Sequence, residues 1–97
     1  MYYVYYLLMT NQQIYTGSSH NLRQRIIEHA AGRMTTTSKH LPVKLLGYEA
    51  YGLKTDAQRR ERFMKTTEGK RLFRQQYRDI IAASHAPVAQ LDRAGDF

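Results

Sequence analysis

The 97 residues contain no cysteine, so neither a disulfide framework nor a thiolate zinc site is open to this chain. No apolar run approaches the roughly 20 residues that crossing a bilayer takes. Nor does a basic leader with a cleavage-site pattern precede the first strand-like segment. These absences predict a soluble, cytoplasmic protein without membrane contact. A glycine-rich phosphate loop and internal repeats are also missing, which sets aside P-loop chemistry and repeat architectures. Acidic residues are scarce, with 8 Asp and Glu against 15 Lys and Arg for a formal charge of +7. An excess of that size on a small chain favours a polyanionic partner, although solvation accounts for it equally well. The length suits one domain with a modest core.

What the chain does have is tyrosine near its start. Tyr2 to Met9 reads YYVYYLLM, a β-branched and aromatic run ended by the turn-forming Thr10-Asn11-Gln12, and it predicts a strand. Tyr3, Tyr5, Leu7 and Met9 fall on one face and Tyr2, Val4, Tyr6 and Leu8 on the other. Because both faces are largely apolar, the strand is expected to be central or covered on both sides. The short turn into Gln13–Gly17 makes a hairpin, which sets Tyr15 on the same sheet face as one of the tyrosines. Asn21 is a good N-cap for a helix over Asn21–Ala31 stopped by Gly32. Leu22, Ile26 and Ala30, widened by Ile27, form its apolar stripe. Arg25 and His29 lie four apart at the edge of that stripe, pointing the same way.

Gly32–Pro42, GRMTTTSKHLP, is polar and broken by Gly and Pro, and it reads as a loop. Arg33, Lys39 and His40 within it are suited to phosphate contact, or belong to a solvated connector. Val43–Tyr51 predicts a third strand with Leu45, Gly47, Glu49 and Tyr51 on one face and Leu46, Tyr48 and Ala50 on the other. Gly47 marks a bulge or a close backbone approach, and Glu49 reads as an exposed or edge charge. Thr55 with Gln58 matches a capping box for a helix over Asp56–Lys65. There Glu61 shares a stripe with Ala57 and Met64 and so needs a cation beside it. Thr66–Gly69 interrupts the pattern. Lys70–Ala83 then predicts a third helix, with Leu72, Phe73, Tyr77, Ile80 and Ile81 inward and Lys70, Arg71, Arg74 and Arg78 outward. Residues 84–97 lose all periodicity and read as an irregular tail after a domain over 1–83.

Several of these segments together resemble a known family. Val4-Tyr5-Tyr6-Leu7-Leu8, Ile14-Tyr15-Thr16-Gly17, Arg25 and His29 are similar in order and spacing to the GIY-YIG nuclease superfamily, and to its small single-domain bacterial members above all. Ser38-Lys39-His40-Leu41-Pro42, Leu45 to Ala50 and Arg59 to Lys65 extend the similarity to roughly residues 1–80. Tyr3-Val4-Tyr5 stands where the family name has Gly-Ile-Tyr, so the first-motif tyrosine is Tyr5 or, alternatively, Tyr3.

The resemblance implies an α+β fold, a three-stranded mainly antiparallel sheet with about three helices. It also implies a divalent-metal-dependent endonuclease acting on DNA in repair or recombination. Tyr5 would be the general base, helped by a neighbouring cation that lowers its pKa, and Tyr15 would orient the water. Arg25 would grip the phosphate, His29 would position base or phosphate, and Glu61 would hold Mg²⁺ or Mn²⁺. The alternative is a nucleic-acid-binding module on the same scaffold without catalysis. The sequence carries no statement of oligomeric state.

Overall fold

In a computed structural model, which describes residues 1–84, strand β1 (Tyr2–Leu8) lies between β2 (Ile14–Ser19) and β3 (Lys44–Tyr51) in an antiparallel sheet of order β2-β1-β3. The alternating tyrosines place β1 there because both of its faces need cover. Val4, Tyr5, Tyr6 and Leu7 have no exposed surface at all. Helices α1 (Leu22–Ala30) and α2 (Thr35–Ser38) follow the hairpin, and α3 (Lys54–Met64), α4 (Thr67–Gln76) and α5 (Arg78–Ser84) follow β3. The fold is therefore the expected α+β, with five helical segments among the described residues where about three were expected. Of the tail assigned to 84–97, Ser84 closes α5 and the remainder lies outside the described residues.

Val4, Tyr6 and Leu8 face a core completed by Leu46, Ala57, Met64 and Phe73. A register shift opposite Tyr6 and Leu7 bulges β3 at Leu46. The bulge turns Leu46 into this core and leaves Leu45 38% exposed, which reverses the facing expected for that pair. Gly47 meets the second half of its expectation too, because a Cβ there would stand 2.6 Å from the Tyr77 ring. Glu49 is not the free edge charge expected. It accepts hydrogen bonds from Arg60 (Nε 3.0 Å, Nη2 3.4 Å), Tyr51 (2.8 Å), Tyr6 (3.1 Å) and Tyr77 (3.4 Å). Burial works against the Glu49 carboxylate, yet Arg60 and the tyrosine hydroxyls together hold its pKa below the ordinary value. This network ties β1, β3, α3 and Tyr77 at the end of α4 into one body.

Three helix expectations change. The inward face of α1 is rotated one position, so that His29 is buried while Ile27 is 54% exposed. Thr55 and Gln58 form no capping box, because α3 starts earlier and has Leu53 at its N-cap. Thr66, expected in a break, instead caps α4 by accepting from the Gly69 N–H at 3.1 Å. That restart turns Gly69 and Phe73 inward and leaves Leu72 38% exposed. Gly69 is pressed so closely on α3 that an added Cβ would fall on the Phe63 carbonyl. Gly69→Ala is therefore expected to lower stability by about 2 kcal/mol or more, read as a shifted urea midpoint at constant slope.

Candidate active site

The hairpin register sets Tyr5 opposite Gly17 and Leu7 opposite Tyr15. Tyr5 and Tyr15 are thus diagonal neighbours on one face, with ring centroids 6.2 Å apart. Gly17 is required here, because a Cβ would come within 2.6 Å of the Tyr5 hydroxyl. Helix α1 is aimed at the same place by its cap, in which the Asn21 side chain accepts from the Gln24 N–H at 3.1 Å. It delivers His29 between the two phenols, at centroid distances of 5.6 Å from Tyr5 and 5.0 Å from Tyr15. Tyr5 rather than Tyr3 enters this cluster, since the Tyr3 ring packs edge-on against Tyr48 instead.

A buried hydrogen-bonded chain runs through His29. Its Nε2 lies 2.8 Å from the Tyr5 hydroxyl and its Nδ1 2.8 Å from Thr37 Oγ1, while Thr37 donates to the Met34 carbonyl at 3.5 Å. The last bond sets the direction of the others. With its O–H donated to the Met34 carbonyl, the Thr37 hydroxyl accepts from Nδ1–H, so Nε2 of a neutral His29 accepts from the Tyr5 O–H. Burial first, then the Arg25 charge, lowers the His29 pKa and keeps the ring neutral.

Tyr5 itself departs from expectation. Burial, with Tyr15 beside it, pushes its pKa well above the usual tyrosine value, although the Arg25 guanidinium pulls the other way. The expected lowering by a neighbouring cation is present but smaller than desolvation. Because Tyr5 is fully buried, the groups of this cluster that reach solvent are Tyr15 and Arg25. The Arg25 side chain is 34% exposed and pairs with Glu28 at 3.1 Å.

Glu61, expected to converge with Tyr5, Tyr15 and Arg25, instead meets Ser18 of β2, on the face opposite Tyr15 and Gly17, and no hydrogen bond or ion pair among the described residues joins it to those three. It accepts from the Ser18 hydroxyl at 2.5 Å and from the Lys65 ammonium at 2.9 Å. The cation that its position in an apolar stripe demanded is therefore Lys65. Among the described residues no group of three or more His, Asp or Glu could hold a metal. Glu61 thus offers one hard carboxylate, 21% exposed, beside a hydroxyl. Such a donor set fits Mg²⁺ or Mn²⁺, ions that accept few protein ligands when phosphate and water complete the shell. Arg33 and Lys39 are exposed and His40 is part-buried, around α2.

Two contributors escaped the sequence reading. Thr37 lies in the polar 32–42 segment, where three adjacent threonines look alike in sequence and α2 leaves no periodic signal. Ser18 could have been placed, since strand alternation puts it on the face opposite Tyr15 and Gly17.

A family model described as the GIY-YIG catalytic domain matches residues 1–77. The "UPF0213 protein in ldhD 5'region" of Pediococcus acidilactici is 39% identical over 67 residues, covering 66% of this chain and 68% of its own length. A UPF0213 protein of Clostridium perfringens is 39% identical over 66 residues, with 67% and 71% covered. One from Natronomonas pharaonis is 35% identical over 66 residues, with 67% and 78% covered. No solved structure matches.

The buried chain generates a pH dependence. The unfolded chain binds a proton at His29 near 6.5 and the folded chain only at lower pH. Stability present above 6.5 is accordingly lost as pH falls toward the lowered folded value. Urea titrations should show this loss in the parent protein and not in His29→Gln. Thr37→Val leaves the buried Nδ1–H without an acceptor and should cost about 1–3 kcal/mol at pH 7.5, with Thr37→Ser recovering most of it.

Proposed function

The chain belongs to the GIY-YIG catalytic-domain family, a nuclease family, and from that premise we propose that it is a metal-dependent DNA endonuclease. The observation that carries this reading is the arrangement of a buried, directional proton acceptor directly behind a solvent-reaching phenol and guanidinium.

Phosphodiester hydrolysis needs a base for water, positive charge at the phosphate and stabilisation of the leaving oxygen. In our reading Arg25, whose planar fork suits a phosphate, leaves Glu28 to grip the scissile group. Tyr15 meets the attacking water. As the water oxygen bonds to phosphorus, the P–O bond opposite it breaks and the leaving oxygen departs as an alkoxide that takes a proton from solvent. The water proton passes to Tyr15, the Tyr15 proton to Tyr5, and the Tyr5 proton to Nε2 of His29. Each phenol gives a proton as it takes one, so neither has to exist as a phenolate beforehand, which its burial forbids for Tyr5. His29 ends as an imidazolium still bonded to Thr37. Tyr5 thus relays the proton between Tyr15 and His29 and is not the group that meets water.

Glu61 would hold the divalent ion once Lys65, which is 56% exposed, swings aside. When bound, the ion supplies positive charge for the leaving oxygen. Arg33, Lys39 and His40 are proposed to contact flanking phosphates, and repair or recombination is the setting proposed for the cleavage.

The purified protein is expected to nick DNA with Mg²⁺ or Mn²⁺ and to stop on chelation. Tyr15→Phe, Arg25→Ala and Glu61→Gln should each lower the single-turnover rate by about 100-fold or more with unchanged circular dichroism. If branched, flapped, single-stranded and duplex DNA all survive either metal, hydrolysis is ruled out. Salt-sensitive binding indifferent to Glu61→Gln would then identify a non-catalytic DNA-binding module.

A further inference from the structure

Beside the candidate active site a groove of about 710 Å³ runs along the outer edge of β2 toward α4. Its floor is apolar, formed by the edges of Met9, Ile14, Met64 and Phe73. Its rim is cationic, with Lys65, Lys70 and Arg74. Lys70 and Arg74 stand one turn apart on α4, both exposed, and take part in none of the ion pairs found among the described residues. Tyr15, the phenol that reaches solvent in the candidate cluster, also lines the groove.

These features select a ligand. A flat apolar body with an anionic group attached matches a soft floor under a basic rim, and the volume lies within the range of small-ligand sites. A strand passing Tyr15 brings a base and a phosphate to this position together. A base held in a continuous duplex keeps its faces stacked inside the helix, whereas an unpaired one can lay a face on the floor while its phosphate meets the rim. We infer that the groove binds one unpaired nucleotide of a DNA strand, its base over Met9 and Met64 and its phosphate at Lys70 and Arg74, next to Tyr15. This site rests on the proposed nuclease reading and narrows its substrate to DNA with an unpaired nucleotide at the cleavage point.

The test reads binding in the absence of metal. Protein labelled with ¹³C at the methionine methyls is titrated with a short oligothymidylate and, separately, with a blunt duplex. The oligothymidylate should shift the Met9 and Met64 methyls and leave Met1 unmoved, and the duplex should move neither Met9 nor Met64. Lys70→Gln/Arg74→Gln should weaken oligothymidylate binding about tenfold at moderate salt, against little change for the charge-matched Lys54→Gln/Arg62→Gln protein, altered outside the groove. Unmoved Met9 and Met64, equal shifts with duplex, or equal weakening in both double variants overturns the site. A protein that cleaves DNA while Met9 and Met64 stay still loses this groove and keeps its hydrolase activity. One that shows the shifts yet cleaves nothing keeps the groove as a binding site only.

Discussion

The hydroxyl of Tyr5 has no access to water, and a buried phenol must find an acceptor or forfeit its hydrogen bond. His29 is that acceptor, and the demand organises much of the molecule around it. Gly17 keeps the space above the phenol open, Asn21 aims the helix, and the rotation of α1 trades the burial of Ile27 for that of an imidazole. Thr37 then fixes which ring nitrogen carries the proton. Each adjustment departs from the most apolar packing available, and each is repaid by a satisfied polar group in the interior.

Much of this was legible in the residues themselves. The tyrosine-rich first strand, the hairpin, the Asn21 cap and the four-residue spacing of Arg25 and His29 follow from periodicity and cap chemistry, while the grouping of Tyr5, Tyr15, Arg25 and His29 in one site came from the family resemblance. What stayed hidden was set by tertiary contact. Counting apolar residues favours Ile27 and Ala30 as the inward face of α1, and only the hydrogen-bond needs of His29 overrule the count. The bulge at Leu46 leaves no local signature beyond Gly47, yet it decides which leucine is core. The Thr55–Gln58 pattern is a sound capping signal that lost to an earlier helix start at Lys54. The cover on both faces of β1 was legible, but not that desolvation would outweigh the Arg25 charge at Tyr5.

The sheet divides the molecule's charge chemistry between two sides. On one, Glu49 is saturated by Arg60 and three tyrosine hydroxyls, an arrangement that braces elements distant in sequence. On the other, Tyr5, His29 and Thr37 form a buried chain, with the part-exposed Tyr15 and Arg25 beside it. Glu61 belongs to neither. Held by a serine of β2 and by a flexible lysine, it is the carboxylate whose partner can be exchanged at least cost, since an exposed ammonium loses little on returning to water.

Tyr5 and Tyr6 are consecutive, so one strand carries a phenol for each of these networks, pointing in opposite directions. A slide of β1 by a single position would send each ring to the wrong side. The strand therefore has no intermediate seating in which one network is made and the other broken. The one register therefore serves both surfaces, so the ladders that seat Tyr6 against Glu49 are the same ones that seat Tyr5 against His29.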